Sequence, residues 1–91
     1  MNEHEKQVCI AIGKAIRELR IEYTQKSCLL FAYENDIPKS TLWRIENGEN
    51  EAKILTLMKI ADGFGWSLSE LFLRIEKRFP ENIHIFEDEH Y

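Results

Sequence analysis

Apolar residues recur with a helical period through the first quarter of the chain. They fall at every third or fourth position with charged residues between them, a pattern that predicts an amphipathic helix. Asn2 and Glu5 have the spacing of a capping box, so this helix should begin near residue 3. Its predicted core positions are Val8, Ile12, Ala15, Ile16, Leu19 and Tyr23.

Turn and cap signals divide the remainder into further short helices. Ser27 can cap a second helix, and Pro38 breaks the chain before a third helix that starts at residue 38 or 39. Gly48 can adopt the left-handed conformation that ends a helix, so the third helix should stop there. A fourth helix should end at residues 63–65, and Ser67 with Glu70 can open a fifth by another capping box. The predicted core positions of these last two helices are Ile54, Leu57, Met58, Ala61, Leu68, Leu71, Phe72 and Ile75.

The pattern therefore predicts an all-α fold of five helices in residues 1–78, followed by a short C-terminal extension, residues 79–91. The one strand-like stretch is residues 83–86, which could pair, dock or remain free, and the chain ends in an acidic segment. Apolar residues beyond the predicted core are candidates for a dimer contact, namely Leu73, Phe79, Ile83, Ile85 and Phe86.

Composition describes one small domain. The 91 residues are 44% hydrophobic and 31% charged, and the longest apolar runs are too short to cross a membrane. The net charge of -4 speaks against indiscriminate binding to a polyanion. All 12 Lys and Arg residues precede residue 79, whereas Glu81, Glu87, Asp88 and Glu89 lie beyond it, so residues 1–78 carry no net charge.

Cysteine and histidine positions argue against catalysis and metal binding. Cys9 and Cys28 form no close pair, and no signal peptide precedes them, so we expect a reducing cytoplasm and buried thiols. His4, His84 and His90 lie in terminal segments, where they could not be held rigidly beside a nucleophile. Metal-site and phosphate-loop spacings are absent from the sequence. We therefore expect no enzyme activity, no catalytic residues, no metal and no cofactor.

The third helix predicts two chemically different faces. Leu42 and Ile45 should face the core, which turns Ser40, Trp43, Arg44 and Asn47 outward and leaves Lys39 at the flank of the first turn. Arginine and lysine can donate to guanine or phosphate, and serine and asparagine can bond to either. An exposed tryptophan is costly on a surface that meets only water. The alternative is a solvated helix face with one stray aromatic residue.

Three segments in order resemble the lambda-repressor-like, or Xre/Cro-type, family of helix-turn-helix DNA-binding domains. Residues 12–20 are similar to the first helix of that family, residues 31–48 to its helix-turn-helix, and residues 57–72 to its fourth and fifth helices. The region from the first to the last of these segments is about two-thirds of the chain.

The resemblance implies a role for individual residues. The second and third helices, about residues 27–47, would form the reading unit, with Lys39, Ser40 and Arg44 facing bases in the major groove. Trp43 would pack on a thymine methyl or the sugar-phosphate wall, and Asn47 would contact phosphate, partly through its backbone N–H. Arg20 and Glu46 match a structural ion pair. The complete candidate DNA-binding set is Lys26, Ser27, Lys39, Ser40, Thr41, Trp43, Arg44 and Asn47.

The sequence departs from the family pattern at several positions near the expected DNA. Cys28 stands where the family usually has a phosphate-binding glutamine, a loss for which Lys26 could compensate. Glu49 and Glu51 would weaken, without forbidding, an approach to phosphate. Asp36 replaces a turn glycine and tolerates turn conformations less freely.

These features lead to two functional hypotheses. The first is a transcriptional regulator, a repressor, that binds a palindromic double-stranded DNA operator as a homodimer. The second is a protein-interaction module on the same fold, such as an antitoxin-like or regulatory partner, with weak or lost DNA binding. In that case Trp43, Leu29, Leu30 and Tyr33 would form a patch for another protein. Neither hypothesis involves a membrane.

Overall fold

Five α-helices account for most of residues 1–80, the part of the chain that the computed structural model describes. They are α1 (Glu3–Thr24), α2 (Cys28–Glu34), α3 (Lys39–Glu46), α4 (Ile54–Phe64) and α5 (Leu68–Glu76). The predicted all-α fold is confirmed, and each predicted helix is present. The expectations for the strand-like residues 83–86, for the acidic end of the chain and for Ile83, Ile85 and Phe86 lie outside the described residues.

Side-chain caps start α1 and α2 where the sequence predicts. Asn2 Oδ1 accepts a hydrogen bond from the Glu5 amide at 2.8 Å, and Glu5 Oε1 accepts one from the Asn2 amide at 3.1 Å, which is a complete capping box. Ser27 Oγ accepts from the Leu30 amide at 3.1 Å and begins α2. These caps satisfy amides that have no partner inside the helix.

The cap of α5 differs from its prediction. Ser67 Oγ accepts from the Glu70 amide at 3.1 Å, as a capping box requires. The Glu70 carboxylate, however, accepts from Arg74 Nε at 2.8 Å, one turn further along the same helix. Glu70 therefore stabilises α5 through an i,i+4 ion pair instead of completing the box.

The core forms where α1 packs against α3, α4 and α5. Its largest fully buried side chains are Ile16, Leu19, Phe31, Leu42, Ile60 and Leu71. Helices α1 and α3 approach so closely at Gly13 that a Cβ atom there would overlap the carbonyl oxygen of Ile45. The close approach holds α3 firmly on the side of α1.

Several predicted core positions are wrong. Ile54 is 58% exposed, and Met58, Phe72 and Tyr23 are also exposed. Ile60, which was not among the predicted positions, is completely buried. For Ile54 and Met58 the reason is the narrow contact of α4, whose buried residues are Leu57, Ile60 and Ala61; the first turn of α4 extends beyond the core.

Tyr23 lies at the rim of the core, in a cluster of aromatic rings around one arginine. Its ring packs edge-on against Trp66 with centroids 5.2 Å apart, and its hydroxyl accepts a hydrogen bond from Arg74 at 2.7 Å. The Arg74 guanidinium stacks 4.3 Å from the Trp66 ring centroid, and Trp66 stacks in turn on Phe64 at 4.5 Å. This cluster joins the end of α1 to α4 and α5.

Within residues 1–80 we found no helix with the length and apolar character that a membrane span requires.

Candidate nucleic-acid interface

Helix α3 presents the two faces that its sequence predicts. Leu42 and Ile45 are buried against α1 and α2, and Ser40, Trp43, Arg44 and Asn47 are exposed on the other side. Lys39, in the first turn, is exposed, and Thr41 is half-buried at the edge of this face. We call the exposed side of α3, formed by Lys39, Ser40, Trp43, Arg44 and Asn47, the α3 face.

A buried ion pair sets the orientation of the α3 face. Arg20 Nε and Nη2 donate to the two oxygens of Glu46 at 2.8 and 2.9 Å, and both side chains are less than 10% exposed. Arg20 Nη1 also donates to the Lys26 carbonyl at 2.6 Å. The hydrogen bond with Glu46 raises the pKa of Arg20 and keeps it charged. Arg20 thus ties α1 to the end of α3 and to the loop before α2.

The cations of the α3 face have no partner among residues 1–80. Neither Lys39 nor Arg44 forms an ion pair there. Lys26 is different, because its ammonium lies 2.6 Å from the Glu34 carboxylate. The charge expected to compensate for Cys28 is therefore neutralised in this structure, whereas Lys39 and Arg44 are available for an anionic partner.

Asn47 and Ser27 each have part of their hydrogen-bonding capacity in use. Asn47 Nδ2 donates one N–H to the Trp43 carbonyl at 2.8 Å, which leaves its second N–H available as a donor to phosphate. The backbone N–H of Asn47, expected to contact phosphate, donates to the same carbonyl at 3.0 Å instead. Ser27 Oγ accepts the capping bond of α2, and its hydroxyl hydrogen remains available to a phosphate. Both side chains are exposed.

Lys53 is a basic residue near α3 that the sequence analysis missed. It lies just before α4 and lines a surface groove together with Pro38 and Thr41 at the start of α3. Glu51 lines the same groove, so the charge there is mixed. Lys53 was missed because the helical period of α3 does not include it. The one local signal was a lysine at the cap of a predicted helix.

Cys28 packs against the core at the first turn of α2. Burial raises the pKa of its thiol and the nearby Glu46 raises it further, while Arg20 and Lys39 act in the opposite direction. The thiol therefore stays neutral at physiological pH. A neutral Cys28 provides no strong donor to phosphate, and it does not repel phosphate either.

The turn between α2 and α3 accommodates Asp36 in place of glycine. Asp36 has a left-handed backbone with φ of 55°, a conformation that aspartate adopts more readily than most residues. Lys59 Nζ donates to the Asp36 carbonyl at 2.8 Å and lies 3.6 Å from its carboxylate. These contacts from α4 hold the turn that positions α3.

A second exposed surface is apolar and lies on α4 and α5. We call it the α4–α5 patch; its exposed residues are Ile54, Leu55, Met58, Phe72 and Leu73. Phe72 also borders a cavity of about 270 Å³ lined mainly by apolar side chains. Phe79, the one predicted dimer residue besides Leu73 within residues 1–80, lines that cavity and packs against the core.

The chain has a relative among known proteins. The chain is similar to control protein C.MunI from a Mycoplasma species, with 40% identity over 68 residues. The aligned region covers 75% of this chain and 92% of that protein, so nearly the whole relative is matched. No protein-family model matches the sequence, and no solved structure matches it significantly.

Proposed function

This chain belongs to the family of control protein C.MunI, and on that premise we propose that it is a transcriptional regulator, without enzyme activity, that binds double-stranded DNA through α3. One observation carries the proposal. Lys39 and Arg44, both without an ion-pair partner in residues 1–80, share an exposed helix face with Ser40 and Asn47.

The geometry of a DNA duplex fits this face. The major groove admits one α-helix, and arginine or lysine there can donate to the acceptors of guanine. The ion pair between Arg20 and Glu46 orients α3 before DNA arrives, so little conformational entropy is lost on binding. We assign base contacts to Lys39, Ser40 and Arg44. Phosphate contacts belong to Asn47, Ser27 and Lys53, with Thr41 at the edge of the interface.

We propose further that two copies bind a palindromic operator. One module covers only about four to six base pairs, and a two-fold dimer places a second α3 one helical turn along the same side of the duplex. The α4–α5 patch supports this arrangement, because five large apolar side chains are exposed on two adjacent helices. A dimer that covers a promoter would exclude other proteins from it, which is the physical basis for proposing repression.

The proposal is tested by selection from a random duplex library with the purified protein at about 50 mM salt, followed by anisotropy titration of the selected site at increasing salt. We expect a palindromic consensus and a steep loss of affinity with salt. Arg44→Ala should lose selectivity at one position of each half-site, whereas Lys6→Ala, on the first turns of α1, should retain it. Failure of the wild-type protein to enrich any sequence would contradict the proposal.

The alternative function, a protein-interaction module, rests on a separate observation. Leu29, Leu30 and Tyr33 are exposed on α2, and Tyr33 is 83% exposed. If this surface bound a regulatory partner protein and DNA binding were lost, Arg44→Ala would leave partner binding unchanged while Tyr33→Ala weakened it. A protein that enriches no DNA sequence would favour this alternative.

A further inference from the structure

The two tryptophans of this protein have different surroundings. Trp66 is half-buried, stacks on Phe64 and Arg74 and meets the Tyr23 ring edge-on, so packing explains its presence. Trp43 is 48% exposed on one flank of the α3 face. Among residues 1–80 its ring stacks on no other aromatic ring, and its indole N–H donates to no side chain or carbonyl. The contacts within residues 1–80 give the Trp43 indole no role.

Helix geometry places Trp43 and Arg44 on opposite flanks of the α3 face. Ser40 and Asn47 lie along its centre, and the directions of Trp43 and Arg44 differ by about 100°. The Trp43 carbonyl accepts from both the amide and Nδ2 of Asn47, so the helix turn that carries the indole is well held. Trp43 and Arg44 would therefore meet different base pairs in one groove.

The chemistry of the indole matches one base. Its edge combines an apolar ring with a single N–H donor. In the major groove thymine alone presents an apolar methyl group next to an acceptor, O4. Cytosine presents a donor in place of that acceptor, guanine presents two acceptors without a methyl group, and adenine presents an acceptor and a donor. Of the four bases, only thymine satisfies both parts of the indole.

We propose that Trp43 is a specificity-determining residue that selects thymine at one position of each half-site, through the C5-methyl group and O4. This inference rests on the proposed DNA-binding function and adds to it the base that the exposed indole recognises. Arg44 would then read a guanine on the other flank, so that the two residues together define part of the half-site.

The test compares sites selected by the wild-type protein, Trp43→Ala and Trp43→Phe from the same random duplex library. Ile21→Ala is the matched control, because Ile21 is 50% exposed on α1 and has no role in either function. We expect the wild type and Ile21→Ala to select the same thymine and Trp43→Ala to lose it. Thermal unfolding of each variant checks that this surface change leaves the fold intact.

Base analogues then separate the two halves of the contact. Deoxyuridine in place of the thymidine removes only the methyl group and should weaken wild-type binding about fourfold, with no effect on Trp43→Ala. A 5-methylcytosine–guanine pair keeps the methyl group and replaces O4 with a donor. It should weaken the wild type more than Trp43→Phe, which has no indole N–H.

Three outcomes would overturn the inference while leaving DNA binding intact. The first is a thymine preference that survives in Trp43→Ala. The second is an equal loss of affinity of Trp43→Ala for all sequences, which would indicate a contact with the DNA backbone. The third is DNA binding by Trp43→Ala that does not differ from that of the wild type. A wild-type protein that selects no sequence would instead overturn the proposed function, and the inference with it.

Discussion

The buried pair of Arg20 and Glu46 is the residue-scale feature that connects the fold to the function. It lies between α1 and the end of α3, with both side chains almost removed from water. A charge in that environment requires its partner, because water no longer solvates it. The pair also explains why Glu46 faces inward although its neighbour Asn47 is exposed.

Loss of the Glu46 carboxylate should destabilise the domain severely. Glu46→Ala leaves a buried guanidinium without its anion, so we expect the free energy of unfolding in urea to fall by about 3–5 kcal/mol. Glu34→Ala is the matched control, because it breaks the exposed ion pair with Lys26 and should cost no more than about 1 kcal/mol. Equal effects of the two variants would show that burial does not strengthen the Arg20–Glu46 pair.

The cysteines should be unreactive at neutral pH. Burial raises the pKa of both thiols, and Glu51 adds to the effect at Cys9. The thiolate is the nucleophile, and a raised pKa lowers the fraction of thiolate at any given pH. Each thiol should therefore react more slowly than an ordinary cysteine at the same pH. Modification by an aromatic disulfide reagent at pH 8 should therefore be slower in the native than in the urea-unfolded protein. Cys9→Ser and Cys28→Ser allow each site to be followed separately, and native rates equal to unfolded rates would contradict this expectation.

At the scale of elements, the ends of the helices determine where α3 lies. Gly48 ends α3 with φ of 72° and Gly65 ends α4 with φ of 76°. The two residues share a backbone conformation and differ in their surroundings. A Cβ at Gly48 would meet Ile10 at 2.6 to 2.7 Å, including its backbone, whereas nothing lies within 4 Å of a Cβ at Gly65.

Alanine substitution separates backbone strain from steric overlap. Gly65→Ala should lower the free energy of unfolding by about 1 kcal/mol, because a residue other than glycine is strained in the left-handed conformation. Gly48→Ala adds the overlap with Ile10 on α1 and should cost at least about 2 kcal/mol more. Urea unfolding measures both differences. If the two variants were equally stable, α1 would not pack against the end of α3 as described.

At the scale of the whole molecule, the distribution of charge reconciles a net charge of -4 with binding to a polyanion. Six acidic side chains pair with five of the cations within residues 1–80, and none of those ion pairs includes Lys39, Arg44 or Lys53. These three cations, on or beside α3, therefore keep their charge without a carboxylate partner in that part of the chain. An acidic protein can thereby present a locally basic surface.

Salt dependence should identify the phosphate-facing cations. Each contact with phosphate releases about one counterion, so Lys53→Ala should lower the slope of log affinity against log salt by up to about 1. Lys6→Ala is the control. Lys6 lies at the start of α1, outside the proposed interface, so this variant should leave the slope unchanged. An unchanged slope for Lys53→Ala would remove Lys53 from the interface.

The α4–α5 patch should mediate self-association. Leu73→Glu places a charge on the patch and should convert a dimer into a monomer, as measured by sedimentation at about 1 to 100 µM. Ile21→Glu adds the same charge to an exposed apolar position on α1 and should leave the dimer intact. A monomeric wild type at the highest concentration would contradict the dimer itself.

Local features of the chain were sufficient to predict much of this structure. The caps at Asn2 and Ser27 and the glycine that ends α3 act through neighbours a few residues away, and they lie where predicted. The helical period likewise placed Leu42 and Ile45 inward and therefore placed the α3 face outward. The pair of Arg20 and Glu46 was expected through the family resemblance, because nothing in the local pattern links residues so far apart.

Other features depend on contacts between distant parts of the chain and were decided only by the tertiary structure. The apolar period of α4 includes Ile54 and Met58 and leaves out Ile60, but the position of α1 and α5 determines that Ile60 is buried and the other two are exposed. Lys26 is neutralised because α2 brings Glu34 near it, and Lys53 lies beside α3 because the loop returns there. The sequence by itself determined the helices and the two faces of α3, since those follow from short-range hydrogen bonding and period. The tertiary structure decided which charges remain without a partner and which apolar side chains remain exposed, since both depend on what lies across the fold.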